Sequence, residues 1–239
     1  MRGLAPFWLD PNDPNAEFPD VSLALAEPDG LLAIGGDLSS ERLLDAYQRG
    51  IFPWYNPDQP ILWWSPNPRA VIYPDKFKIS RSLKKSIRHR GYEVTYDREF
   101  RAVIEACSEA RKAEPGTWIT PAMKDAFCRL HRLGYAHSIE CRLNGKLIGG
   151  LYGLALGKVF FGESMFARKT DASKVAFAYL VHQLKQWNFK IIDCQVASDH
   201  ILRLGAELIP RDLFVRLLRE FCNSKTTELW NETLTDYRV

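Results

Sequence analysis

Val159-Phe160-Phe161-Gly162-Glu163-Ser164-Met165-Phe166-Ala167-Arg168 is the stretch on which the reading of this chain turns, taken with Ile191-Ile192-Asp193-Cys194-Gln195-Val196. Each begins as a short apolar run and gives out into polar residues, the pattern of a buried strand that ends at a site. A carboxylate beside a buried strand costs free energy unless it is paired or has a chemical task. Two such strands side by side would gather Glu163, Asp193 and Gln195 around one cleft.

Outward from these runs, the spacing predicts a strand over 136–143, a type I′ turn at Asn144-Gly145 and a return strand over 146–154. Gly157-Lys158 turns into a strand over 159–162. A helix over 173–187 follows, then the strand from Ile191, a short helix over 199–204, a strand at Leu208-Ile209 and a helix over 211–221. Asp199 and His200 open the short helix and are candidates to support the site, with a cap role the expected one for Asp199. Upstream, Ala70-Val71-Ile72-Tyr73 and residues 92–96 read as strands, and 80–90, 99–110 and 121–133 as helices. Leu31-Leu32-Ala33-Ile34 is a further strand, followed by a helix that Ser39-Ser40 opens and Gly50 stops. Residues before 26 read as an irregular lead-in, and the tail after Cys222 as polar and loosely held. The fold class is α+β, with residues 1–60 as a small N-terminal α+β domain and residues 61–239 as the catalytic domain.

The order of elements from Tyr135 onward resembles the acetyltransferase-like (GNAT) fold: an antiparallel meander, a long helix, and a parallel strand pair that splays apart. The resemblance implies that an acyl group is handled between the splayed strands. Ordinary members grip the pyrophosphate of coenzyme A with a glycine-containing turn at the start of the long helix. That place holds Arg168-Lys169-Thr170-Asp171-Ala172-Ser173, where no glycine lets the backbone approach a pyrophosphate closely. Coenzyme A is therefore not the expected donor, and no cofactor is expected.

With 239 residues and no apolar run of bilayer length, the chain reads as soluble. Pro6 and Asp10 interrupt the N-terminus too early for a secretory segment. The five cysteines are odd in number and lack CxxC spacing, which suggests reduced thiols, a cytoplasmic setting and no metal. A net charge of +3 is too small to argue for nucleic acid. Its distribution says more: Lys76, Lys78, Arg81, Lys84, Lys85, Arg88 and Arg90 fall together with no acidic residue among 76–90. Such a run is either a solvated helix face or a surface that meets phosphates. Ile51-Phe52-Pro53-Trp54-Tyr55-Asn56-Pro57 and Ile61-Leu62-Trp63-Trp64-Ser65-Pro66 hold aromatic rings on a stiff chain. Trp63 and Trp64 read as packing between domains, whereas Trp54 has the alternative of stacking on a nucleobase.

Several uncommon motifs occur in one order: Leu31-Leu32-Ala33-Ile34-Gly35-Gly36-Asp37-Leu38, Tyr47-Gln48-Arg49-Gly50-Ile51-Phe52-Pro53-Trp54, Trp63-Trp64-Ser65-Pro66-x-Pro68-Arg69, Gly116-Thr117-Trp118-Ile119-Thr120, Phe161-Gly162-Glu163-Ser164-Met165-Phe166 and Ile192-Asp193-Cys194-Gln195. Together they resemble the leucyl/phenylalanyl-tRNA–protein transferases of bacteria, over residues 23–221. The resemblance implies transfer of Leu, Phe or Met from aminoacyl-tRNA to acceptor proteins with N-terminal Arg or Lys, which creates an N-degron. It gives no reason to expect DNA or a membrane as partner. It further implies that Trp54 and Trp118 stack on the terminal adenosine of the tRNA; Leu151, Phe160, Leu180, Leu184 and Ile192 are the candidates for an aminoacyl pocket, with ordinary core the alternative for each. Arg69, Lys76, Arg81, Lys84 and Lys85 are expected to meet tRNA phosphates. Glu163 is expected to bind the aminoacyl α-amine or a ribose hydroxyl, unless Arg168 or Lys174 pairs with it. Asp193 is expected to anchor the basic N-terminus and Gln195 to orient the amine or the ester, with the identity of the base open. A coenzyme A-dependent N-acyltransferase and a non-catalytic tRNA- or peptide-binding module are the alternatives.

Overall fold

The computed structural model describes residues 5–13, 15–110, 118–223 and 230. Gly116 and Thr117, and the tail beyond Asn223 except Trp230, lie outside the described residues. The first element is a strand that the sequence reading missed, β1 (Phe7–Leu9), lying parallel to β2 (Leu31–Gly35). Three residues are too few to show a period, and a neighbouring edge stabilises them rather than a local pattern. Helix α1 (Ser40–Gln48) follows, with the Ser39 hydroxyl accepting from the Arg42 N–H at its start. Strands β3 (Phe52–Pro53) and β4 (Leu62–Trp64) complete a four-stranded sheet of order β1-β2-β4-β3.

The small sheet thus reaches Trp64, past residue 60, and the next strand, β5 (Arg69–Ile72), belongs to a different sheet. The change falls across residues 65–68, where Pro66 and Pro68 lack the N–H a central ladder needs. The larger sheet also takes β6 (Glu93–Tyr96), β7 (Ala136–Leu143), β8 (Lys146–Leu156), β9 (Val159–Ala167), β10 (Ile191–Gln195) and β11 (Glu207–Ile209). Its seven strands run in the order β11-β5-β10-β9-β8-β7-β6. The helices are α2 (Arg81–His89), α3 (Phe100–Ala110), α4 (Pro121–Arg132), α5 (Ala172–Gln186), α6 (Asp199–Arg203) and α7 (Arg211–Phe221). Ser80 and Thr120 cap α2 and α4 through their hydroxyls, and Ser198, not Asp199, caps α6. None of the described helices is long and apolar enough to cross a membrane.

The antiparallel meander, the long helix and one parallel pair reproduce the acetyltransferase-like order. Side chains along β9 and β10 alternate between faces. Phe161 and Ile191 join the core shared with α1, α3 and the small sheet; Phe160 and Ile192 join the core beneath α5. Helix α5 sits close on the sheet because β8 offers Gly149 there: a Cβ at that position would meet the Ala172 Cβ at 2.6 Å.

Two departures from regular strand geometry set up the site. The parallel register of β9 with β10 runs from Val159↔Ile191 to Phe161↔Asp193 and then stops. Beyond that point each strand carries a bulge. β9 places Gly162 opposite Gly153 and Ser164 opposite Tyr152, which leaves Glu163 as the extra residue. β10 pairs Asp193 with Val71 and Gln195 with Ala70, which leaves Cys194 extra. Sequence reading ended the β9 strand at Gly162; it continues to Ala167, because β8 pairs with it on both sides of the bulge. Gly153 makes that local crowding possible, since a Cβ there would lie 2.2 Å from the Phe161 carbonyl oxygen.

Candidate active site

Where β9 and β10 part, a cavity of about 1040 Å³ opens between the large sheet and the small one. Bulges commonly re-aim one side chain at such a place. Here they bring Glu163 and Gln195 together, with the Gln195 Nε2 donating to Glu163 Oε1 at 2.7 Å. Gln195 has φ +62°, a left-handed conformation that costs a non-glycine residue on the order of 1 kcal/mol or more. Asp193 holds it there: Oδ1 accepts the Gln195 backbone N–H at 2.9 Å.

Asp193 in turn is fully buried and clasped by Arg69. The guanidinium donates from Nε to Oδ1 at 2.8 Å and from Nη2 to Oδ2 at 2.7 Å, a two-pronged geometry that fits a carboxylate. Its remaining edge donates to the Gly50 carbonyl oxygen at 3.1 Å. Its faces lie against the rings of Phe52 and Phe214, at 4.8 and 4.7 Å from the centroids. These positions correct two expectations. Arg69 is 1% exposed and its guanidinium is taken up by protein groups, so it is no phosphate contact. Asp193 does not border the cavity and has both oxygens occupied, so it does not meet the acceptor's N-terminus.

Glu163 has the opposite surroundings. It borders the cavity, and no cation among the described residues pairs with it: Arg168 is paired with Glu109, and Lys174 with Asp171. The Tyr47 hydroxyl donates to Oε1 at 2.7 Å, on the same oxygen that accepts from Gln195. Burial pushes its carboxyl up to about 8; the Tyr47 and Gln195 hydrogen bonds and the Arg69 charge oppose that rise, and the Asp193 charge adds to it. Burial and the Glu163 charge push the Tyr47 phenol well above its ordinary value, so it stays a donor.

Next to this polar floor lies an apolar recess. Leu151, Phe160 and Ile192 line it, with Met165 and Phe177 beside them. Leu180 and Leu184 do not. They share the sheet-facing side of α5 with Phe177, but each residue along a helix rises about 1.5 Å, which carries Leu184 about 10 Å past Phe177 into solid core. The same cavity is bordered by Trp54, 45% exposed, and the half-buried Trp118. Trp64, which sequence reading assigned to packing, also borders the cavity: its ring centroid is 5.8 Å from that of Trp54, and its Nε1–H donates to the Trp54 carbonyl at 2.7 Å. Trp63 is the packing residue, fully buried with its Nε1–H on the Gly35 carbonyl.

Arg81, Lys84 and Lys85 lie on the exposed side of α2, while Leu83 and Ser86 turn inward. Lys76 is exposed but engaged, with Nζ 3.0 Å from Glu207 and 4.5 Å from the Tyr73 ring centroid. At the start of α5, Asp171 is left-handed (φ +63°) and its carboxylate accepts from Ser86 and Lys174. Against the burial that would raise it, these bonds hold its carboxyl below the ordinary value. A negative charge therefore stands at the start of α5, which disfavours an anion there. Sequence reasoning missed Tyr47, Trp64, Met165, Phe177 and Cys194 as cavity or floor residues, whereas His200, a candidate to support the site, borders the cavity. Of these, Tyr47, Trp64, Met165 and Cys194 stand inside or next to the motifs quoted above, and that was the available signal.

The profile of a family described as leucyl/phenylalanyl-tRNA protein transferase matches residues 71–219, and that of its N-terminal domain matches residues 36–67. A leucyl/phenylalanyl-tRNA–protein transferase of Cellvibrio japonicus is 58% identical over 214 residues, 90% of each chain. One of Methylococcus capsulatus is 51% identical over 230 residues, 96% of this chain and 98% of its own. The solved structure of FemX superposes with a TM-score of 0.51 on 74% of this chain and 70% of its own, at 9% identity, a likeness of fold alone.

Proposed function

Because this chain belongs to the leucyl/phenylalanyl-tRNA–protein transferase family, we propose that its cavity is where the aminoacyl ester of a tRNA meets the N-terminal amine of an acceptor protein. The activity is aminoacyl transfer: the amine attacks the ester carbonyl, a peptide bond forms, and the tRNA leaves. Leu, Phe and Met are the side chains transferred, and proteins that begin with Arg or Lys are the acceptors, which receive an N-degron in the cytoplasm where charged tRNA is made. The recess of Leu151, Phe160, Ile192, Met165 and Phe177 suits side chains that are apolar and unbranched at Cβ. A recess of this kind rejects polar groups well and single methylenes poorly, which fits a Leu, Phe and Met range.

Trp54 and Trp118 take the terminal adenosine by stacking, and Trp64 fixes the Trp54 backbone. Arg81, Lys84 and Lys85 meet tRNA phosphates without reading sequence. Gln195 spends its amide N–H on Glu163, so its amide oxygen is the group that orients the attacking amine. Asp193 and Arg69 are positioning residues: they fix the left-handed turn that aims Gln195. An ester of tRNA is already activated, so fixed geometry supplies much of the rate.

The observation that carries this reading is the left-handed Gln195, held between Glu163 and Asp193 at the head of an apolar recess. The test is to incubate the protein with labelled Leu-tRNA and two peptides, one starting with Arg and one with Ala. Label moves to the first alone if the reading is right; no transfer to the Arg peptide defeats it. Addition of acetyl-coenzyme A in place of charged tRNA is expected to give no product, given Asp171 at the start of α5.

A further inference from the structure

We infer that Glu163 is the proton carrier of the transfer, taking a proton from the attacking amine and returning it to the departing ribose oxygen. The inference rests on the function proposed above and assigns the step that Gln195 cannot perform, since a neutral amide is a poor base. It begins by elimination. Asp193 has no access to the cavity and both its oxygens are bonded to protein groups. Among the described residues that line the cavity, Glu163 is the one carboxylate.

Its geometry then fits the task. Both hydrogen bonds from the protein, those of Tyr47 and Gln195, arrive at Oε1. An Oε1 that only accepts can keep both donors whether Oε2 carries a proton or not, though it holds them more tightly when the carboxylate is charged. The carboxyl can gain and lose a proton at Oε2 while the floor of the site keeps its shape. The bulge that makes Glu163 the extra residue of β9 turns this group toward the cavity instead of into the sheet. Its elevated ionisation range, near that of an acceptor's α-amine, is in keeping with a group that must both take and give a proton.

The step balances without any other reactant. As the amine attacks, the C–N bond forms and the carbonyl electron pair moves onto oxygen, while the surplus amine proton passes to Oε2. The tetrahedral intermediate then collapses, the C–O bond to the ribose breaks, and the oxygen that leaves with the electron pair takes the proton back from Oε2.

The titratable and charged groups that act on Glu163 are Tyr47 of α1, Arg69 of β5 and Asp193 of β10; Tyr152 of β8 acts on Tyr47, and Tyr55, Tyr152, Cys194 and His200 share the cavity lining with Glu163. His200 is the rival carrier; it borders the cavity but is exposed, with Nε2 on Met165 Sδ at 3.3 Å. The experiment measures single-turnover transfer of Phe from Phe-tRNA to a peptide starting with Arg, as a function of pH. The protein is compared with its Glu163→Gln, Glu163→Asp and His200→Gln variants. A second peptide carries the less basic α-hydrazino analogue of Arg, which separates the titration of the enzyme from that of the amine. Expected is a rate rising with pH through a point that stays put when the amine is changed. Glu163→Gln is expected to lose that enzyme limb and about 10²- to 10⁴-fold in rate. Glu163→Asp should keep part of the rate with the limb moved, and His200→Gln should keep the limb in place. A Glu163→Gln protein with the enzyme limb intact, or with a rate within about threefold of the parent, overturns the inference, as does loss of the limb in His200→Gln. If Glu163→Gln does not fold, Glu163→Asp decides, and an unmoved limb at full rate overturns. No transfer by the unaltered protein instead defeats the function proposed above.

Discussion

Glu163 and Asp193 stand on neighbouring strands of one sheet, each beside a bulge, and their fates differ because of a single guanidinium. Arg69 takes both oxygens of Asp193 and turns it into a fixed strut beneath Gln195. Glu163 receives only neutral donors, on one oxygen, and faces the cavity. A burial that would be costly for either charge is offset by a partner in one case and put to chemical use in the other. The lesson is that the sheet does not decide what a carboxylate does; the counter-charge does.

Breaking the strut is the largest change available. Arg69→Met strands a buried carboxylate, and the loss expected in urea unfolding is about 3–5 kcal/mol. Replacing the pair together, Arg69→Met with Asp193→Leu, is expected to restore most of that stability while transfer stays low. Stability near the parent's for Arg69→Met alone would mean that the two carboxylates are alike after all. Trp54→Ala supplies a contrast away from the floor. Lost stacking of about 1–3 kcal/mol should raise KM for the charged tRNA by roughly 5- to 150-fold, with little change in kcat.

The pH dependence of folding sharpens the comparison further. Glu163 holds its proton in the folded protein up to about 8, whereas an ordinary carboxyl releases it near 4.5. Its contribution to stability is therefore full below 4.5 and is lost as pH rises through about 8. The slope reaches at most about 1.4 kcal/mol per pH unit in that window. Thermal melts of Glu163→Gln should be flatter between those limits than melts of the parent; parallel curves would contradict the assignment. Smallest is Tyr47→Phe, which removes one hydrogen bond worth about 0.5–1.5 kcal/mol. That bond favours the charged form of Glu163, so its loss should move the enzyme limb of the pH–rate profile upward.

Local pattern carried much of the fold. The strands around the site, the long helix and the caps at Ser39 and Ser80 follow from periodicity and from hydroxyls at helix starts. The groups around Glu163 and Gln195 were legible as polar residues where apolar runs give out. The clasp was not, since Arg69 and Asp193 are 124 positions apart, and Tyr47 and Glu163 are 116 apart. No spacing rule links residues that only a finished sheet brings together. Arg69 follows Pro68 on the approach to a basic stretch, so chain context pointed outward while the ladder of β5 with β10 turned the side chain inward. Leu180 and Leu184 failed for a related reason: helix periodicity gives the face a residue occupies but not how far along the axis a cavity extends.

The left-handed backbone at Gln195 has a consequence for anyone who would redesign this enzyme. Asn accepts that backbone conformation best among residues that carry a side chain, yet its arm is one methylene short of the Glu163 oxygen that the Gln195 amide reaches at 2.7 Å. Glu has the length but would set a second negative charge against Glu163, and β-branched residues meet the strain in full. The position admits almost no conservative exchange, so a library that varies the recess should hold it constant and spend its diversity on Leu151, Met165 and Phe177.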